Sequence, residues 1–313
     1  MPDPSLLDPA LKALLDSMAE SGAAPVESLS VQEAREFNEM FTALGGEAED
    51  VSAVEDLKIK GVPCRLYRPL GSSPEQPSEL LPVLVWFHGG GWVLGTLDST
   101  DLTARSLANR SQHLVVVVDY RLAPESQFPA AVEDCWSVTS WLAHGGAESL
   151  GGDAAQVSVG GDSAGGNLAA VVSILSRDAA LALRRQILVY PVTDVANESA
   201  SYVENGTGHL LTTDTMRWFI QNYTSPDQRS DWRASPLLAE NLSGVAPAYV
   251  LTAGFDPLRD EGRAYADRLL DAGVSVTQQE FPTAIHAFLN LGGVTPLAAE
   301  AIDAIAAALE IET

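Results

Sequence analysis

An α/β fold with one mostly parallel sheet flanked by helices is predicted by three features of the chain. Runs such as Val83-Leu84-Val85-Trp86-Phe87 and Leu114-Val115-Val116-Val117-Val118 are apolar at every position, as strands buried on both faces must be. Such runs alternate with segments of helical length, the strand–helix rhythm that parallel pairing requires. The length of 313 residues suits one large domain with insertions.

Along the chain, Leu6, Leu7, Leu11, Leu14, Leu15 and Met18 recur at helical spacing, and Ser30-Val31-Gln32-Glu33 is a capping-box start for a second helix. Gly22-Ala23-Ala24-Pro25 separates the two, and both precede the first strand signal. Residues 51–70 alternate around Gly61 and predict a β-hairpin, ended by a polar loop at 71–77. Strands are then expected at Pro82–Phe87, Leu114–Asp119, Val157–Val159, Gln186–Tyr190, Tyr249–Ala253 and Val274–Gln278. Helices are expected near Asp101–Asn109, Ala130–Ala143, Asn167–Ser176, Glu261–Ala272 and Pro296–Leu309. Residues 196–235 are polar and strandless, with one helical stretch at Met216–Ile220, and read as an insertion covering a site. This division gives a catalytic core of 46–195 and 236–313, with 1–45 and 196–235 as a helical cap.

Composition narrows the function. The chain is 46% hydrophobic and 19% charged, as globular proteins are, and no apolar run is long enough for a bilayer. A net charge of −24, with only the lysines Lys12, Lys58 and Lys60, argues against nucleic acid or an anionic membrane surface as partner. Salt adaptation is an alternative source of that acidity. Cys64 and Cys135 have no metal-type spacing and read as buried reduced thiols. The first residues lack a basic stretch followed by an apolar core, so a cytoplasmic protein is expected; no histidine–cysteine or histidine–histidine cluster suggests a metal, and no cofactor is expected.

The chemistry centres on Gly161-Asp162-Ser163-Ala164-Gly165. It lies between a strand-like run and an apolar helix-like one, so Ser163 would project from a tight strand-to-helix turn with a helix N-terminus behind it. A glycine-rich phosphate turn is the bland alternative. It fits less well, since no Lys-Ser or Lys-Thr follows and G-x-G-x-x-G is not matched. A second motif, His88-Gly89-Gly90-Gly91-Trp92, follows the strand ending at Phe87. Its glycines let backbone N–H groups approach a ligand oxygen, the requirement of an oxyanion hole, while His88 reads as a residue that orients the loop.

Together these motifs resemble the α/β-hydrolase fold, and within it the hormone-sensitive-lipase-like family of bacterial esterases. Asp119-Tyr120-Arg121-Leu122-Ala123-Pro124-Glu125, Phe128-Pro129-Ala130-Ala131, Gly166-Asn167-Leu168, Tyr190-Pro191 and Asp256-Pro257-Leu258-Arg259-Asp260-Glu261-Gly262 extend the resemblance from about Val83 to Phe288. In this fold the chain order is serine, acid, histidine. Of five histidines only His209 and His286 follow Ser163; His209 falls in the presumed cap, whereas His286 follows the last strand. Asp256 ends a strand and is the preferred acid, with Asp260 the alternative. The residue after His286 is Ala287, where the family usually has glycine.

The expected activity is hydrolysis of short- to medium-chain acyl esters, small-molecule substrates, through an acyl-enzyme on Ser163. His286 is the expected base and Asp256 the orienting acid, with Gly89, Gly90 and Ala164 as backbone oxyanion donors. An amidase or acyltransferase would use the same residues, and a small-molecule receptor on this fold is the non-catalytic alternative. Trp92, Leu210, Trp218 and Phe219 are candidate pocket residues, with cap–core packing an equal explanation. The resemblance also implies a homodimer.

Overall fold

The computed structural model describes residues 4–72 and 80–310, so residues 73–77 of the expected polar loop lie outside the described residues. Two helices come first, α1 (Pro9–Ser21) and α2 (Val31–Phe41). They are followed by β1 (Ala53–Ile59), β2 (Val62–Arg68), β3 (Leu81–Phe87), α3 (Asp101–Ser111), β4 (Leu114–Val118) and α4 (Ala130–Ala143). Then come β5 (Gly152–Asp162), α5 (Ala164–Asp178), β6 (Gln186–Val189), α6 (Ala200–Glu204) and α7 (Thr213–Tyr223). The chain closes with β7 (Ala248–Phe255), α8 (Arg259–Asp271), β8 (Val276–Ile285) and α9 (Leu297–Glu310).

The strands form one eight-stranded sheet in the order β1-β2-β4-β3-β5-β6-β7-β8. The β1–β2 and β2–β4 pairs are antiparallel and the other five are parallel. Period-two alternation sends Val83, Val85 and Phe87 of β3 to one face and Leu84 and Trp86 to the other. The first face is covered by α4, α5 and α8 through residues such as Val138, Leu168 and Leu269. The second is covered by α3 and α9, with Leu11 of α1 joining the cluster of Leu107 and Ile305. Both faces of β3, β4 and β7 are therefore dry, which explains their unbroken apolar runs.

Two strands run much longer than expected: β5 spans Gly152–Asp162 rather than Val157–Val159, and β8 departs as well. β8 runs from Val276 to Ile285, well beyond Gln278, and its later residues pair with β7, Phe281 beside Ala253 and Ile285 beside Phe255. As the sheet's edge strand it is half solvated, so its pattern is polar, and an edge tolerates Pro282.

Two anchors fix what lies above the sheet. The Asn167 side chain, buried in α5, donates to the carbonyls of Val192 (3.0 Å) and Ala234 (2.9 Å), which closes the stem of the segment between β6 and β7. Arg35 of α2 makes a two-pronged ion pair with Glu125, both contacts 2.8 Å, and donates to the carbonyls of Val93 and Ala123. That pairing holds the Glu125 carboxyl down to about 2. Among the described residues no helix is long and apolar enough to cross a membrane.

Candidate active site

The parallel strands end together, and four of them deliver polar residues to that edge: His88 after β3, Ser163 after β5, Asp256 after β7 and His286 after β8. Ser163 sits between the last residue of β5 and the first of α5 at φ 57° and ψ −117°, a conformation that L residues seldom adopt. The turn is that tight because backbones meet behind it. A β-carbon at Gly161 would overlap Phe87 O, and one at Gly165 would overlap the same atom more severely.

His286 bridges the other two residues. Its Nε2 lies 2.9 Å from Ser163 Oγ and its Nδ1 lies 2.7 Å from Asp256 Oδ2. All three are buried, Asp256 completely. Asp256 Oδ1 accepts the N–H of Leu258 at 2.8 Å, and Asn205 Nδ2 donates to the Asp256 carbonyl at 3.1 Å, so both carboxylate and backbone are held. The ring of Tyr190 packs on His286 with centroids 4.7 Å apart. The two alternatives lie elsewhere: Asp260 binds Ser201 N–H and Arg259, and His209 contacts the Asn205 carbonyl.

The glycine loop is held from below. His88 is buried, stacks on Tyr120 at 4.4 Å, and its Nδ1 lies 2.7 Å from Gly89 O. Burial lowers its pKa to about 4, so the ring is neutral and its Nδ1–H donates to that carbonyl. Gly89 departs from expectation. Its N–H is donated to Asp162 Oδ1 at 3.0 Å and is therefore not free for a substrate oxygen. Among the described residues the N–H groups of Gly90, Gly91 and Ala164 have no protein acceptor. Gly90 and Gly91 turn the loop at φ 108° and 59°.

A cavity of about 190 Å³ opens above Ser163 and His286. Its walls are largely apolar: Phe37 and Phe41 from α2, Leu94 and Leu102 from the core, and Leu211 and Phe219 from the segment between β6 and β7. Thr215 of α7 donates to Glu27 at 2.8 Å, tying that segment to the turn before α2.

Comparison with known proteins bears on the fold and the family. Residues 84–290 match the profile of a family described as the alpha/beta hydrolase fold. The chain belongs to this family. It is 37% identical to an ethyl acetate hydrolase of Pseudomonas putida over 97% of this chain and 98% of that protein. It is 38% identical to the carboxylesterase NlhH of Mycobacterium tuberculosis, over 97% and 95% of the two chains. The crystal structure of a serine-to-alanine variant of an alpha/beta hydrolase from the metagenome of Lake Arreo superposes with a TM-score of 0.92 at 41% identity, covering 97% of this chain and 98% of that one.

Of the four pocket residues expected in this α/β hydrolase, Leu210 and Phe219 line the cavity and Trp92 and Trp218 do not. Trp92 has φ 61°, which turns its side chain inward; it is fully buried and stacks on Tyr223 at 4.1 Å. Trp218, next to Phe219 on α7, points about 100° away around the helix and packs on the core cluster instead. Phe37 and Phe41 were not singled out from sequence. Their i,i+4 spacing on α2 was a signal for one apolar face, but not for what that face would meet.

Proposed function

We propose that this α/β hydrolase is a serine carboxylesterase that cleaves short- to medium-chain acyl esters through an acyl-enzyme on Ser163. The observation that carries the reading is the pair of contacts at His286, 2.9 Å to Ser163 Oγ and 2.7 Å to Asp256 Oδ2, at the floor of a small apolar cavity. His286 Nε2 takes the hydroxyl proton as Oγ attacks the acyl carbonyl, and Asp256 fixes the tautomer and stabilises the imidazolium. The oxyanion forms against the N–H groups of Gly90, Gly91 and Ala164, whose lack of a protein acceptor supports this choice over Gly89. The imidazolium then protonates the leaving alkoxide. Water enters, gives its proton to His286, attacks the acyl carbon, and releases the carboxylic acid and the Ser163 hydroxyl.

Residues 1–45 and 196–235 serve as the cap in this reading, α2 and α7 walling the cavity while α1 braces the assembly from the side. The cavity's size favours small acyl groups over long lipid chains. Buried free thiols at Cys64 and Cys135 support a reducing, cytoplasmic setting. Two copies paired through a sheet edge complete the proposal, which light scattering tests.

Matched p-nitrophenyl esters and anilides test the activity. The proposal expects ester hydrolysis that shortens in rate beyond medium acyl chains, little anilide cleavage, and a Ser163→Ala variant without turnover. Comparable anilide cleavage would make the enzyme an amidase, and an active Ser163→Ala variant would reject the mechanism.

A further inference from the structure

We infer that Asn290 is a positioning residue for the oxyanion loop and acts through Asp162; the inference rests on the esterase reading and deepens it. Asn290 closes the short turn Phe288–Asn290 that follows His286. Its Nδ2 donates to Asp162 Oδ2 at 3.2 Å, while its Oδ1 accepts the Thr103 hydroxyl at 2.9 Å. The amide orientation is set by charge: with the group reversed, its oxygen would face a carboxylate. Asp162 Oδ1 in turn accepts the Gly89 N–H at 3.0 Å. A continuous chain therefore runs from Thr103 through Asn290 and Asp162 to Gly89.

Asp162 depends on those donors. It is almost fully buried, and burial pushes its carboxyl up, opposed by Asn290, by Gly89 and by the nearby His286. The hydroxyls of Tyr120 and Tyr190 belong to the same buried surroundings, and among the described residues no arginine or lysine forms an ion pair with Asp162. Removing Asn290 takes away the one side-chain donor to the carboxylate among the described residues. Asp162 then shifts or takes a proton, and the Gly89 peptide loses its fixed acceptor. Gly90 and Gly91 follow Gly89 directly, so their N–H groups lose their aim at the oxyanion. The fit leaves little slack, since a β-carbon at Gly89 would overlap the Asp162 carboxylate. The stretch from His286 to Asn290 thus supplies the base and steadies the donors that receive the charge the base helps to create.

The test is steady-state kinetics on Asn290→Leu, with Ser163→Ala as control. Asn290→Leu is expected to lower kcat roughly 10- to 100-fold with KM changed less than about threefold, and to weaken a trifluoromethyl ketone inhibitor by a similar factor. In an Asp162→Ala background it should add less than about twofold, because the two residues act in series. Thr103→Val, which removes one hydrogen bond without changing volume, should cost about 3- to 10-fold in kcat and stands in if Asn290→Leu does not fold. A kcat within about twofold of wild type, or an undiminished loss in the Asp162→Ala background, overturns the inference. An active Ser163→Ala control instead rejects the esterase reading, and this inference with it.

Discussion

Phe219 of α7 lies against Gly91 so closely that a β-carbon at position 91 would overlap its ring. The segment between β6 and β7 thus touches the loop proposed to hold the oxyanion. Gly91→Ala should lower kcat/KM for p-nitrophenyl acetate by about 100-fold or more, since it moves a donor amide and forces alanine to φ 59°. Adding Phe219→Ala relieves the overlap and should return part of the loss. Phe219→Ala alone enlarges the cavity, and its acyl-chain optimum should move to longer chains; an unchanged profile would show that Phe219 does not limit the pocket.

Ala287 follows His286 at φ 64°, a left-handed conformation that costs alanine more than glycine. Ala287→Gly should therefore stabilise the protein slightly, by about 0.5–1 kcal/mol, or roughly 1–3 °C in Tm by calorimetry, with kcat little changed. The gain is small because glycine also frees the unfolded chain.

Asn167 holds both ends of the segment between β6 and β7, through Val192 O and Ala234 O. Asn167→Ala leaves two buried carbonyls without donors and should destabilise by about 2–4 kcal/mol in denaturant titration. Because the stem sits beside the elbow, KM should rise as well. Stability within about 0.5 kcal/mol of wild type would contradict the anchoring role.

His88 and His113 are both buried, and burial lowers each pKa to about 4. In the unfolded chain each returns to about 6.5, so between pH 6.5 and 4 the unfolded state binds more protons. Their contribution to stability is complete above about pH 6.5 and is lost as pH falls toward 4, on the order of 3 kcal/mol for each histidine. Urea unfolding at pH 7 and pH 4.5 reads the difference, and the stability lost between those two pH values should be about 2 kcal/mol smaller in His113→Gln than in wild type.

Reading the sequence placed most of the sheet, because β3, β4 and β7 are buried on both faces and announce it at every position. It placed β8 poorly, since an edge strand is written in polar residues and tolerates Pro282. That Ser163, Asp256 and His286 would meet was legible because each follows a strand that ends at the same edge of the sheet. Gly89 was not: whether its N–H is free depends on Asp162, 73 positions away in the chain. For Trp92 the sequence left pocket lining and packing equally open, and the structure has the packed alternative, with the indole buried against Tyr223 at a positive φ that is invisible in sequence. Phe37 and Phe41 show the same limit, since an apolar helix face does not say whether it meets a core or a cavity.

Everything proposed for this site depends on Ser163 being the nucleophile activated by His286. Labelling with a fluorophosphonate, followed by peptide mapping, tests it most directly. One phosphonyl group per chain is expected, on Ser163, with loss of esterase activity in proportion and no labelling of Ser163→Ala or His286→Ala at a comparable rate. Activity that survives complete labelling of Ser163, or inactivation with the adduct on another residue, would contradict it.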